Sequence, residues 1–261
     1  MNILDKIIAD KRREVALKKA VISTQQLEQF KGFERTPFKL TQRLKSSTSG
    51  IIAEHKRRSP SKAIINQNLN VCDVAKGYEA AGACGMSVLT DVKYFGGALE
   101  DLTLARASCQ LPLLRKEFVI DTYQVIEAKA YGADVILLIA AVLNKDEIKS
   151  LSELAQSLGL EVLLEVHNEE ELHKSVMSSI DLMGVNNRDL KTFEVNLETS
   201  MALSSKIPSD FVKISESGIS AIEAIKKLKP FGFEGFLIGE NFMKTNDPGE
   251  SAKTFITSLK Q

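Results

Sequence analysis

The sequence predicts a closed (β/α)8 barrel of the α/β class, carrying an N-terminal helical extension. Three observations carry that expectation. From residue 50 onward, eight short apolar runs begin roughly every 20–35 residues. Each is followed by a segment of helical periodicity, and continuous apolar strands alternating with amphipathic helices imply a parallel sheet covered by helices. The length, 261 residues, is close to the roughly 250 of a single barrel of this kind.

The elements follow in order. The first 48 residues lie outside the repeat. Ile3–Leu17 reads as an amphipathic helix on the spacing of Ile3, Leu4, Ile7, Ile8 and Val15, and Phe38–Leu44 as the start of a second. Residues 1–48 are therefore expected to pack as an extension on a barrel of residues 49–261, the whole forming one structural domain. The eight runs are Gly50–Ala53, Gly85–Leu89, Leu111–Leu114, Val135–Leu143, Leu160–Val166, Leu182–Val185, Phe211–Ile214 and Gly235–Ile238. Helical segments between them include Asp121–Tyr131, Asp146–Leu158 and Ser220–Leu228. Gly82, Gly132 and Gly159 stand where a helix ends just before the next strand. A count of eight favours closure over an open doubly wound sheet, which more often has about five or six strands. No Gly-x-Gly-x-x-Gly follows the first strand.

Composition narrows the partners. Lys plus Arg and Asp plus Glu both number 34, a formal net charge of +0, so no global basic field recruits nucleic acid or an anionic membrane. Cys72, Cys84 and Cys109 are odd in number and lie in no metal-type cluster, which reads as reduced thiols. The N-terminal residues do not begin a signal peptide, and the longest apolar run, Val135–Leu143, is about half a membrane span. The expected compartment is the cytoplasm.

In such a barrel the chemistry sits at the C-terminal strand ends, and side chains alternate inward and outward with period two. If Ile52 points inward, so do Glu54 and Lys56. Leu114, Lys116 and Phe118 share one face, as do Leu163 and Glu165. Asn186 and Arg188 go together, and Glu216 has the parity of Val212 and Ile214. A charge directed into a barrel core costs several kcal/mol, on the order of 2–7, unless it is paired or lines a pocket. Five strands ending this way converge on one site of mixed acids and bases, as general acid–base catalysis requires. A lysine near another cation or in a dry pocket loses basicity and donates a proton near neutral pH, and that is the expectation for the lysines here. A second signal is Ser217-Gly218 after the seventh strand and Gly239-Glu240 after the eighth. Gly-containing loops at these two strand ends form the phosphate site of many barrels. Of the histidines, His167 shares Glu165's parity and could support it, whereas His55 and His173 read as structural or exposed.

At these residues the chain resembles the indole-3-glycerol-phosphate synthase family. The matching stretches are Ala53-Glu54-His55-Lys56-Arg57-Arg58-Ser59-Pro60-Ser61-Lys62, Leu89-Thr90-Asp91 with Tyr94-Phe95-Gly96-Gly97, Leu114-Arg115-Lys116-Glu117-Phe118, Leu164-Glu165-Val166-His167, Gly184-Val185-Asn186-Asn187-Arg188-Asp189-Leu190, Glu216-Ser217-Gly218-Ile219 and Phe236-Leu237-Ile238-Gly239-Glu240. They are collinear across the barrel, and the Ile3–Lys18 helix is similar to the family's extra helix.

The resemblance implies a reaction without cofactor or metal, in tryptophan biosynthesis. The substrate is 1-(2-carboxyphenylamino)-1-deoxyribulose 5-phosphate, and ring closure, decarboxylation and dehydration give indole-3-glycerol phosphate. It implies that Lys116 is the cationic acid at the ketone oxygen. Glu165, Lys56 and Glu54 are implied for the proton transfers of dehydration, with Asn186 and Arg188 on the sugar or the substrate anions. Glu216 would orient the lysines. Ser59, Phe95, Phe118 and Leu137 would contact substrate, the last three as an apolar wall. Lys56, Ser217, Gly218, Gly239 and the Glu240 backbone would bind phosphate. A monomer able to associate with other tryptophan-pathway enzymes is also implied. Glu117, Ala63 and Glu240 depart from the family's more frequent Asp, Gly and Ser; Glu117 is expected to point away from the pocket, and Glu240 to offer only its N–H. A sister barrel, phosphoribosylanthranilate isomerase, uses a Cys and an Asp where this chain has Glu54/Lys56 and Asn186/Arg188. A Schiff-base aldolase working through Lys56 or Lys116 and an inactive phosphate-binding protein remain as alternatives.

Overall fold

The computed structural model describes residues 3–190 and 192–259. Met1, Asn2, Lys191, Lys260 and Gln261, which fall within the expected segments 1–48 and 49–261, lie outside the described residues. Eight parallel strands close on themselves in sequence order. They are β1 (Ile51–His55), β2 (Gly85–Leu89), β3 (Leu113–Lys116), β4 (Val135–Ile139), β5 (Glu161–Val166), β6 (Leu182–Asn186), β7 (Val212–Glu216) and β8 (Phe233–Ile238). Closure is made by β1 on β8, with Ile51 opposite Phe236, so the sheet has no free edge.

The strands read as uninterrupted apolar runs because both their faces are buried. Ile52, Leu114, Val135, Leu137, Leu163, Leu182, Val212, Ile214 and Leu237 pack together inside the barrel. Their neighbours in sequence, among them Ala53, Leu113, Ile136, Leu138, Val162 and Leu164, pack outward under the helices. One expected strand is too long. Val135–Leu143 is a strand only to Ile139, because the amides of Val142 and Leu143 both turn back to the Ile139 carbonyl. Gly82, Gly132 and Gly159 all have positive φ, at 81°, 92° and 77°, as helix-terminating positions require.

The N-terminal segment contributes at both ends of the barrel. Its first helix, Ile3–Val21, crosses the C-terminal end and carries a buried Lys11. That ammonium lies 3.0 Å from Asp91 and 3.1 Å from Glu117 at the ends of β2 and β3. The expected helix near Phe38–Leu44 runs from Leu40 to Lys45, and its Leu40 and Leu44 plug the N-terminal end of the interior. Glu161, the inward residue that begins β5, accepts from the amides of Leu40 and Thr41 at 2.6 and 3.2 Å and from the Thr41 hydroxyl at 2.5 Å. A carboxylate is thus set on the first turn of that helix. A five-residue helix, Thr24–Glu28, was not anticipated, although Ser23 and Gln26 form the capping box that announces it. No helix among the described residues is long and apolar enough to cross a membrane.

Candidate active site

The C-terminal mouth of the barrel opens into a cavity of about 400 Å³. Its floor is set by strand parity. Lys116 at the end of β3 points inward and meets three carboxylates from three other strands. Its ammonium is paired with Glu216 of β7, and it lies 3.9 Å from both Glu54 of β1 and Glu165 of β5. Lys56, just past β1, lies 2.6 Å from the other oxygen of Glu54. Two glycines make room for this. A methyl group at Gly239 would come within 2.2 Å of Glu54 Oε1, and one at Gly184 within 2.6 Å of Glu216 Oε1. Gly239 therefore accommodates an acid as well as bordering the anticipated phosphate edge.

The electrostatics correct one expectation. Burial alone lowers a lysine's pKa, but Glu216, Glu54 and Glu165 together outweigh it and raise Lys116 above the ordinary range. Lys116 is a firmly held ammonium, not a lysine of lowered basicity. The unusual proton sits elsewhere. Glu216 is fully buried, and burial, with Glu165 and Glu54 nearby, pushes it up to about 7 against the pull of Lys116. Burial also opposes ionisation of Glu54, yet Lys56 and Lys116 hold it below the usual carboxylate range. Three carboxylates share one central ammonium, and burial makes Glu216 take up a proton more readily than Glu54.

The walls divide by chemistry. Phe95 and Phe118, with ring centroids 6.0 Å apart, line one side with Leu137 and Ile139. The opposite rim holds Ser217, Gly218, Gly239 and Glu240. Ser217 and Gly218 both have positive φ, 66° and 79°, and a non-glycine residue held there is the kind of backbone strain that accumulates at functional sites. Arg188 reaches the cavity with its backbone N–H on Asn186 Oδ1 at 3.0 Å and its guanidinium on the Phe193 carbonyl at 2.9 Å. Lys56, Ser59, Asn186, Lys116, Glu54 and Glu165 complete the expected set around the cavity. Glu216 does not line it; its carboxylate lies beneath, paired with Lys116. The Glu240 carboxylate pairs with Lys62 at 2.6 Å. The carboxylate of Glu117 is taken up by Lys11 and by the Thr90 hydroxyl at 2.9 Å.

Sequence reasoning missed four contributors. Ile3, Leu4 and Ile7 of the first helix line the cavity; their apolar stripe was legible, but not that it faces the mouth. Asn187, between the two inward residues of its strand end, is buried. Its amide donates to Ser215 Oγ and to the carbonyls of Glu216 and Ser217 at 2.9, 3.0 and 3.1 Å, binding the ends of β6 and β7 together. Its position out of phase with Asn186 and Arg188 was the available signal. Among the histidines, His167 meets Glu165 at 3.4 Å, His55 is buried and held down to about 4, chiefly by burial, and His173 is exposed.

The fold and this cavity define a (β/α)8 protein with an acid–base floor, an apolar wall and a glycine-containing rim. The sequence model of the family described as Indole-3-glycerol phosphate synthase matches residues 4–255. Two relatives carrying the name indole-3-glycerol phosphate synthase, from Bacteroides thetaiotaomicron and Dechloromonas aromatica, are 49% and 43% identical; the alignments cover 99% and 97% of this chain and 99% of each relative. Among solved structures, 3-hexulose-6-phosphate synthase from Salmonella typhimurium superposes with a TM-score of 0.64 over 81% of this chain and 99% of that one, at 12% identity, a likeness of fold. The chain belongs to the indole-3-glycerol phosphate synthase family.

Proposed function

We propose that the protein converts 1-(2-carboxyphenylamino)-1-deoxyribulose 5-phosphate to indole-3-glycerol phosphate, CO2 and water, by acid–base catalysis without a cofactor. One observation carries the reading. Lys116, an ammonium at rest and ringed by Glu54, Glu165 and Glu216, stands at the floor of a cavity whose walls are aromatic on one side and glycine-containing on the other.

In this reading the anthranilate ring lies against Phe95, Phe118 and Leu137, and the phosphate against Lys56, Ser217, Gly218, Gly239 and the Glu240 N–H. Attack of the ring on the ketone develops negative charge on the carbonyl oxygen. A fixed ammonium at that point stabilises the transition state and supplies the proton. Loss of CO2 restores aromaticity. In dehydration Glu165 takes a proton from the indoline while a lysine protonates the departing hydroxyl, Glu54 holding Lys56 in place. Asn186, Arg188 and Ser59 fix the sugar and the substrate anions, and Glu216 fixes Lys116. A Schiff base needs a neutral amine, so the charge on Lys116 counts against an aldolase. The same reading makes the chain a cytoplasmic biosynthetic enzyme that works as a monomer, able to associate with other tryptophan-pathway enzymes, its extension and barrel one structural domain. Incubating the pure protein with the carboxyphenylamino substrate and following indole fluorescence tests it; a folded sample that forms no indole overturns it.

A further inference from the structure

His167 follows β5 two residues after Glu165 and turns to the same side. Its Nε2 is buried, makes no hydrogen bond, and stands 3.4 Å from Glu165 Oε1. Its Nδ1 lies 3.0 Å from Glu171 Oε2. That oxygen also accepts from the His167 backbone N–H at 2.8 Å, and the other oxygen of Glu171 accepts from Asn168 Nδ2 at 3.0 Å. Glu171, on the helix Glu169–Ser175, thereby fixes the ring with Nε2 turned toward Glu165. Glu165 presents its second oxygen to Lys116 at 3.9 Å. A series of titratable groups therefore runs from Glu171 through His167 and Glu165 to Lys116. His167 does not line the cavity, so it acts on bound substrate only through Glu165.

The chemistry gives that series a task, resting on the function proposed above. The substrate carries an ionised ring carboxylate and a phosphate, whereas the product carries the phosphate alone, and CO2 and water are neutral. Charge balance requires one proton taken up per turnover. Two protons are donated, to the ketone oxygen and to the departing hydroxyl, and one is withdrawn from the indoline. A substrate-filled cavity excludes the water that would supply the difference.

We propose that His167 is a positioning residue and the proton store that covers this difference. In its imidazolium form it hands a proton to Glu165, which passes it to Lys116 once that lysine has protonated the substrate. The Nε2–H bond breaks as an O–H bond forms on Glu165. That bond breaks in turn as an N–H bond forms on the Lys116 amine. Nδ1–H stays on Glu171 throughout, and after product leaves Nε2 takes a proton from water. Burial opposes a charge on the ring, but the groups acting on it, Glu171 on the following helix, Glu165 on its own strand and Glu216 on β7, are all carboxylates and raise its pKa.

The test combines an NMR titration of the His167 ring in the full chain, wild type and Glu171→Gln, with turnover by wild type and His167→Asn. The ring is expected to titrate above the ordinary histidine range in wild type and lower in the Glu171 variant, a result that needs no substrate. His167→Asn is expected to lower kcat about ten-fold with KM within about two-fold. It should also lose the fall in kcat that wild type shows as pH rises through the His167 titration, and added imidazolium buffer should partly restore its rate. A wild-type ring that titrates below the ordinary range overturns the proposal. So does a variant that keeps its kcat and pH profile, or that loses activity without a changed profile or buffer rescue. A wild type forming no indole overturns the functional reading instead, and the titration then decides on its own whether His167 holds a proton toward Glu165.

Discussion

At the N-terminal end of the barrel, Asp134 has both carboxylate oxygens fully engaged. Oδ1 accepts from the Phe38 amide at 2.7 Å and pairs with Arg35 at 2.7 Å; Oδ2 accepts from the Leu113 amide at 2.7 Å and from Arg106 at 3.0 Å. Both guanidinium groups also stack on Phe38, 5.6 and 4.9 Å from its centroid. Glu161 is similarly committed to the helix that plugs this end. At the C-terminal end, Glu216 Oε1, Ser87 Oγ and His167 Nε2 are buried with no hydrogen-bond partner, around an ammonium shared by three acids. Buried polar groups are almost always satisfied. Arg35 Nε at the N-terminal end is also without a hydrogen-bond partner, but there it belongs to a guanidinium already held by Asp134. The unsatisfied atoms at the C-terminal end surround titratable groups and mark a surface shaped for something other than stability. Buried charge at one end is spent on holding the chain together, and at the other it is kept available.

Substitutions sharpen that contrast. The largest effect is expected from Glu165→Gln, which should lower kcat by about 10³-fold while leaving thermal unfolding near that of wild type. Asp134→Ala should do the reverse. Removing one partner of a buried ionic network costs about 3–5 kcal/mol, visible as a lower urea midpoint, with kcat/KM unchanged at temperatures where the chain stays folded. Equal losses of activity in both variants would erase the distinction between the ends.

Glu216 gives a pH signature. Its folded pKa, raised to about 7, exceeds the unfolded value of 4.5, so the folded state binds the extra proton. Its contribution to stability is fully present below about pH 4.5 and is lost as pH rises through about 7. Glu216→Gln should flatten the stability–pH curve across that window, and by releasing Lys116 should lower kcat about ten-fold. An unaltered curve would show that Glu216 titrates normally. The smallest effect is expected from Thr41→Ala, which removes one hydrogen bond to Glu161 at a cost of about 1 kcal/mol, measurable by denaturant titration with no change in activity.

Much of this was legible in the sequence, because a closed barrel imposes a period-two code. Ile52, Glu54 and Lys56, or Val212, Ile214 and Glu216, could be assigned to one face without knowing where their neighbours lay. What parity could not give was distance between strands far apart in sequence. Lys116 was expected to lose basicity in a dry pocket, and only the placement of Glu54, Glu165 and Glu216 around it reverses the sign. The N-terminal helix was legible as amphipathic, but its stripe of Ile3, Leu4 and Ile7 could face a groove or a cavity equally well. Asn187 was overlooked for the opposite reason. It lies out of phase with the inward set, and its value is the joint it makes between two strand ends.

The central claim is that the charged Lys116 at the C-terminal end drives ring closure. Single-turnover indole fluorescence of Lys116→Met against wild type, at saturating carboxyphenylamino substrate, tests it most directly. The account predicts that the wild type forms the indole product and that the variant binds substrate but forms it about 10³-fold more slowly. A variant that closes the ring at the wild-type rate would contradict it.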